Sequence, residues 1–390
     1  MSQLNVDTIK KADGTGNLSV PAETGTVVTT ASPSLGRRNI ILNGSMAVAQ
    51  RGTSGTDGSG YDSVDRWEYG TSGVDQMGWG SEQSTDAPSD SGFTRSYKLT
   101  VTTAETSIEA GEYIFAQQQI EAQNLQHLCY GTSDAKSITL SFWVKSSLTG
   151  VAAIFIYQGD AARSYTTNYT INSANTWEYK TVTISGDTSG PINNHNGPGL
   201  NIRFHLAAGS DLTGGTANQW AAFTSANRAV GQTLNLAETL NATWQITGVQ
   251  LEVGSVATPF EHRSYGEELA LCQRYYQSSY NTGVSPGSSV DEFAGSNGGQ
   301  GVYHAFGTNV SGGVASSIGS FVTQMRTRPT VTVYDHSGNS GKITTFDSGS
   351  SSTANQSYNS VRQSQRQIIV RTYQSSIFGF EYLYEADAEL

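Results

Sequence analysis

The chain has 390 residues, of which 43 are Gly and 8 are Pro; 14% are charged, 10% are aromatic, and the formal net charge is −11. Low charge with many Ser, Thr and Asn and recurring short apolar runs fits all-β modules rich in turns, and excludes a disordered chain. The 22 Lys and Arg residues concentrate nowhere, which excludes an electrostatic grip on nucleic acid or on an anionic membrane surface.

Residues 1–36 are polar and extended: Leu4, Val6 and Thr8 alternate, then Gly14, Gly16, Pro21, Gly25 and Pro33 punctuate. They carry too few apolar residues for a core of their own, so this leader is expected either to stay disordered or to order only against partners. It shows no basic n-region and no apolar h-region, so no signal peptide is expected. No run approaches the roughly 18 apolar residues of a membrane-spanning helix.

From Arg38 to about His262 the pattern is that of strands. Ser137–Ser146 alternates, with Ile138, Leu140, Phe142 and Val144 on one face and Thr139, Ser141, Trp143 and Lys145 on the other. Val151–Gln158 is apolar on both faces, as in a central strand covered twice. Trp177–Ile184 and Leu200–Ala208 follow. In Trp244–Val253 the apolar phase slips at Thr247-Gly248, which predicts a β-bulge. Trp143 and Trp244 are assigned to the sandwich or its interfaces. Strands without intervening helices predict an antiparallel jelly-roll β-sandwich over 37–262.

Ser264-Tyr-Gly-Glu267 is a capping box opening a short helical neck over 263–282. Leu269, Cys272 and Tyr276 form one stripe on it. A helix this short is not stable alone, so the stripe is a candidate threefold contact. Residues 283–390 read as a second, smaller β-sandwich. Thr330–Asp335 and Lys342–Phe346 flank a hairpin signal, Arg366–Tyr373 is a strand, and Phe378, Phe380, Tyr382 and Tyr384 alternate in the last one. Cys129 and Cys272 are far apart and read as two buried thiols.

Several of these segments carry a resemblance. Asn39-Ile-Ile-Leu-Asn-Gly-Ser-Met resembles the first strand of jelly-roll carbohydrate-binding modules, Thr139-Leu-Ser-Phe-Trp-Val-Lys145 a mid-domain strand, and Trp244-Gln-Ile-Thr-Gly-Val-Gln-Leu-Glu the last strand. Gln50-Arg-Gly-Thr and Asp65-Arg-Trp67 look like the phage variant of the module. Residues 250–276 resemble a junction of bacteriophage tail-fibre and appendage proteins, the stretch from Phe321 to Tyr334 resembles their distal domains, and Leu-Asn-Val-Asp-Thr-Ile-Lys in the leader resembles their openings. The resemblance implies a virion component, trimeric as fibres usually are, that attaches to other tail or capsid proteins through residues 1–36 and binds a host-surface glycan without cleaving it. It implies no cofactor. Two alternatives stay open: a capsid- or tail-decorating protein that binds no sugar, and a polysaccharide depolymerase. Such modules commonly hold structural calcium through acidic residues, where this chain has Ala47 and Thr247-Gly248, so no metal is expected. The acidic run Asp57–Asp65 lacks EF-hand spacing.

Catalytic motifs are weak. In Gly283-Val-Ser285-Pro-Gly287 the residue after the serine has no N–H for an oxyanion hole, so the match reads as a turn. The six histidines, including His195, His205, His304 and His336, show no metal-ligand spacing. Glu112, Glu121, Asp160 and Glu178 are acidic, but no local motif pairs them as a glycosidase requires. Loop aromatics are the better lead, because sugar C–H faces pack on rings. Tyr61, Trp79 between glycines, and Tyr165 and Tyr169 in the polar stretch Arg163–Ser173 are the expected carbohydrate contacts.

Overall fold

A computed structural model describes residues 9–10, 17–18, 37–56, 59–74, 76–290, 301–306, 315–347, 352–374 and 377–390. Most of the leader and Asp57 lie outside the described residues. Within the leader unit, β1 (Ile9–Lys10) pairs antiparallel with β2 (Asn17–Leu18). Residues 39–390 form a second unit.

That unit begins with β3 (Ser54–Thr56), β4 (Glu68–Ser72), β5 (Gly78–Ser84), β6 (Ser96–Thr103), β7 (Tyr113–Glu121), β8 (Ile138–Ser146) and β9 (Gly150–Gln158). It continues with β10 (Arg163–Ile171), β11 (Glu178–Ile184), β12 (Pro198–Ala208), β13 (Ala221–Ala222) and β14 (Thr243–Val253). Two six-stranded sheets result, ordered β13-β10-β9-β12-β7-β4 and β11-β8-β14-β6-β5-β3. The pairings are antiparallel and the chain crosses repeatedly from one sheet to the other, giving a jelly-roll sandwich.

Alternation explains which faces meet. Ile138, Leu140, Phe142 and Val144 of β8 and Leu200, Ile202, Phe204 and Leu206 of β12 are buried in one core. Phe204 lies at its centre, with ring centroids 5.1 Å from Phe142, 5.8 Å from Trp244 and 6.3 Å from Trp67. Such aromatic pairs add about 0.5–1.5 kcal/mol each beyond area burial. The predicted bulge is present: the β14–β8 register shifts between Thr247 and Gln250, and Gly248 has φ 61°.

The segment Asn39–Met46 is not a strand, contrary to its resemblance. Left-handed backbone at Asn43 and Met46 breaks the extended path. The segment instead lies against the bulge. Ile40 N donates to Leu251 O (2.8 Å), Val249 N donates to Gly44 O (2.9 Å), and the Asn39 amide bridges Val249 O and Leu251 N.

Helix α1 (Tyr265–Gln273) starts at the capping box, where Ser264 Oγ accepts from Glu267 N at 3.3 Å. The remainder comprises β15 (Tyr276–Ser278), β16 (Tyr303–Phe306), β17 (Ala315–Ser320), β18 (Thr330–Tyr334), β19 (Ile343–Phe346), β20 (Ser352–Gln356), β21 (Ser360–Gln363), β22 (Gln367–Thr372) and β23 (Gly379–Asp387). β23 is the spine of this smaller sandwich: β15, β16, β18 and β19 all pair with it, while β21, β22 and β17 form a separate sheet. Phe380, Tyr382 and Tyr384 of β23 share a core with Ile368 and Val370 of β22.

β18 and β19 do not form the expected hairpin with each other; both pair along β23. The connection folds instead around buried Asp335, which accepts from Ser337 N, Asn339 N and Asn339 Nδ2 at 2.8–2.9 Å. The threefold stripe also needs correction. Cys272 is buried within its own chain. Tyr276 is not helical but belongs to β15, under the Arg51 guanidinium (3.6 Å), with its hydroxyl donating to Glu385 (3.0 Å). Neither has a face left for a second copy, and Leu269 is half-buried. Of the two thiols only Cys272 is buried; Cys129 is half-exposed, at a left-handed position after a 3-10 turn.

Candidate functional site

The four expected loop rings do not form an accessible platform. Trp79 is 3% exposed inside β5, and Tyr165 and Tyr169 are 5% and 4% exposed inside β10, all three in the sandwich core. Trp244 Nε1 donates to the Tyr169 hydroxyl at 3.1 Å. Tyr61 is half-buried, with the Arg51 guanidinium 5.5 Å from its ring. The misreading has a physical cause: polar Ser81 and Thr167 also point inward beside these rings, so their strands resemble polar loops.

Aromatic side chains gather instead on the outer face of the sheet containing β4, β7, β12 and β9. Register places Glu68, Gln117, Arg203 and Phe155 side by side across the four strands. Gly70, Phe115 and His205 form the next row, and Gln119, Asn201 and Tyr157 the row on the other side. Gly70 is needed there, because a Cβ would lie 2.6 Å from the Phe115 ring. Its absence lets Phe115 lie over β4, and the Arg203 guanidinium sits 4.3 Å from that ring's centroid.

The connection 209–232 builds a wall over β9 and β10. Leu212 and Ala229 pack on Ala153, Gln232 accepts from Ala153 N (2.6 Å), and Asn168 donates to Val230 O (2.8 Å). The wall contributes Phe223, edge-on to Tyr157 (5.3 Å) and Phe155 (6.0 Å), and Arg228. The Arg228 guanidinium lies among three rings: 4.5 Å from Tyr113, 5.1 Å from Phe223 and 5.6 Å from Phe155. Tyr113, Tyr157, Asn201, Arg203, Phe223 and Arg228 all keep part of their surface in solvent.

The electrostatics of this face are cationic in an acidic protein. Glu68 is held by Gln117 and Gln119, and Gln117 Oε1 in turn accepts from Arg203 Nε (2.5 Å). Neither Arg203 nor Arg228 forms an ion pair among the described residues. Burial lowers the Arg203 pKa, with Arg228 adding to the effect and Tyr113 and Glu68 opposing it. His205 is completely buried; burial first, then Arg203 and Arg228, push its pKa well below 6.5, so it is neutral. Both of its ring nitrogens lack a hydrogen-bond partner among the described residues. The face thus sets rings suited to sugar-like C–H faces beside amides and guanidinia suited to hydroxyl or acidic groups.

The carboxylates considered as a catalytic set stay dispersed on separate partners. Glu121 forms a bidentate pair with Arg274 (2.7 and 2.9 Å), Asp160 meets His195 (2.9 Å), Glu178 meets Lys180 (2.5 Å), and Glu112 accepts from Glu109 N (2.8 Å). His304 and His336, with no sequence spacing to link them, flank buried Glu381 at 3.6 and 3.3 Å.

No family model matches the sequence, and no curated protein matches it. Among solved structures, the chain is similar to the enzymatically active domain of tailspike protein 4 of bacteriophage CBA120, at 15% identity and TM-score 0.31, over 55% of this chain and 21% of that one. It is also similar to a family 11 carbohydrate-binding module from Clostridium thermocellum in complex with a beta-1,3-1,4-mixed-linked tetrasaccharide (9% identity, TM-score 0.28, 53% of this chain and 99% of that one). A third is TmCBM61 in complex with beta-1,4-galactotriose (8% identity, TM-score 0.28, 56% of this chain and 100% of that one). The chain spans about a fifth of the length of the tailspike structure it matches.

Proposed function

We propose that the protein is a bacteriophage tail-fibre or appendage component that binds host-surface carbohydrate without cleaving it, through the outer face of the β4–β7–β12–β9 sheet. The observation that carries the binding reading is the gathering of Tyr113, Phe115, Tyr157 and Phe223 around Asn201, Gln119, Arg203 and Arg228 on one partly exposed face. The virion role rests on the resemblance of the leader, junction and distal segments. Glu68 is the one carboxylate among the described floor residues, and two amides occupy it. Hydrolysis of a glycosidic bond needs two carboxyl groups, so this face favours holding over cutting. Linking several copies in one fibre would raise a weak contact about 10²–10⁴-fold in effective affinity.

The test is a glycan array probed with the full chain and with Tyr113→Ala and Tyr157→Ala. Loss of the signal from both variants, with melting temperatures kept, is the expected result. Unchanged binding by both folded variants would move the site off this face. Release of reducing ends from a bound polysaccharide would replace adhesion by depolymerisation.

A further inference from the structure

Resting on that saccharide reading, we infer that the groove is built for an acidic sugar, with Arg203 and Arg228 receiving the carboxylate of a uronate-type residue. A neutral-sugar platform needs rings and amides only. This one adds two guanidinia, in a chain whose net charge is −11, and gives neither an ion pair among the described residues. Placing two like charges near each other on a half-buried face is unfavourable until an anion arrives between them.

The surroundings keep the cations available. Glu68, the nearest candidate counter-ion on the floor, is engaged by the Gln117 and Gln119 amides, and Gln117 separates it from Arg203. Arg228 cannot turn away easily: Tyr113, Phe155 and Phe223 surround its guanidinium, and the wall behind it is tied down by Ala229 N to Leu212 O at 2.8 Å. His205 sits under the pair as a neutral ring, so it adds no third charge, and its buried nitrogens have no protein partner among the described residues. An incoming anion therefore meets two donors of fork geometry, which suit a planar carboxylate. The rings of Tyr113, Tyr157 and Phe223 would pack against the pyranose and its neighbours.

The decisive experiment uses the full chain on an array that includes neutral, uronate-containing, sialylated and sulfated glycans. Isothermal titration follows with each acidic hit before and after carboxyl reduction to the alcohol. We expect uronate-containing glycans to bind, carboxyl reduction to weaken binding at least tenfold, and affinity to fall as NaCl rises from 0.05 to 0.5 M, roughly as expected for exposed charges. Arg228→Gln and Arg203→Gln should each lose binding at least tenfold while retaining the wild-type melting temperature. Arg203→Lys should recover part of it, an outcome that a purely structural role would not produce. Neutral hits that ignore both arginine substitutions but are lost in Tyr157→Ala would overturn the acidic-sugar inference and leave the saccharide face standing. Hits confined to sulfated or sialylated glycans would overturn the uronate assignment. No hit on any class would remove both readings together.

Discussion

Replacing His205 by Phe should flatten the acid side of the stability profile. The imidazole is 0% exposed, edge-on to Tyr113 at 5.7 Å and to Phe155 at 6.1 Å, and its pKa lies well below 6.5. The unfolded chain takes up this proton near pH 6.5, and the folded chain does not. Below pH 6.5 the unfolded state therefore binds more protons, and stability falls as pH falls, until the depressed folded pKa is reached. The limiting slope is about 1.4 kcal/mol per pH unit, and it holds from pH 6.5 down to the depressed folded value. Phenylalanine has nearly the shape of the ring it replaces and carries no proton, so at pH 7.5 the variant should lie within about 1.5 kcal/mol of wild type. Urea denaturation followed by tryptophan fluorescence at pH 7.5, 6.5, 5.5 and 4.5 measures both curves. Other groups titrate in both proteins, and the difference isolates His205. Parallel curves across that range would refute the claim that the buried ring stays neutral.

Trp79→Ala and Tyr169→Ala should each cost about 3–5 kcal/mol, as core aromatics do, and thermal melts within a degree of wild type would contradict their burial. Glu121→Gln removes the bidentate pair with Arg274. Burial alone would raise the Glu121 pKa, but hydrogen bonds from Arg274 and its neighbours win and hold it below 4.5, so the stabilisation exists above pH 4.5 and disappears as pH falls through the depressed value. The variant should lose about 2 kcal/mol at pH 7 and progressively less as pH falls below 4.5, read by denaturant midpoints along that series. Gly248→Ala places a Cβ 2.6 Å from Phe93 Cζ at φ 61°; left-handed backbone costs roughly 1–2 kcal/mol before the ring moves, so a midpoint equal to wild type would be inconsistent with this bulge geometry.

Strands whose inward positions are uniformly apolar were legible from alternation alone. β8, β12 and the bulged β14 follow directly from Ile138–Val144, Leu200–Leu206 and the phase slip at Gly248. β5 and β10 were not, because Ser81 and Thr167 take inward places and glycines flank Trp79. The groove left one usable trace. Val151–Gln158 is apolar on both faces, which signals a second layer of cover, and Phe155 and Tyr157 turn out to line that outer face. Arg203 and Arg228 could not have been joined from spacing, since their proximity depends on the 209–232 connection folding back over β9. The same holds for Glu381 with His304 and His336, which meet only through pairing along β23.

The junction between the two sandwiches carries a consequence for the order of folding during synthesis. Arg51 lies over Tyr276 and bonds Asp387 (3.0 Å) and Glu389 (3.3 Å), while Arg66, 1% exposed, lies over Tyr275 and pairs with Glu389. These partners are separated by 336 and 323 positions in the chain. At about 5–20 residues per second, tens of seconds pass on the ribosome between emergence of the arginines and of the acids that neutralise them. Until then Asp65 is the acid at hand for the two guanidinia, and the edge around residues 50–66 lacks its partners at 387 and 389. Completion of that edge is therefore a long-range event, which joins residues 50–66 to residues more than 300 positions later.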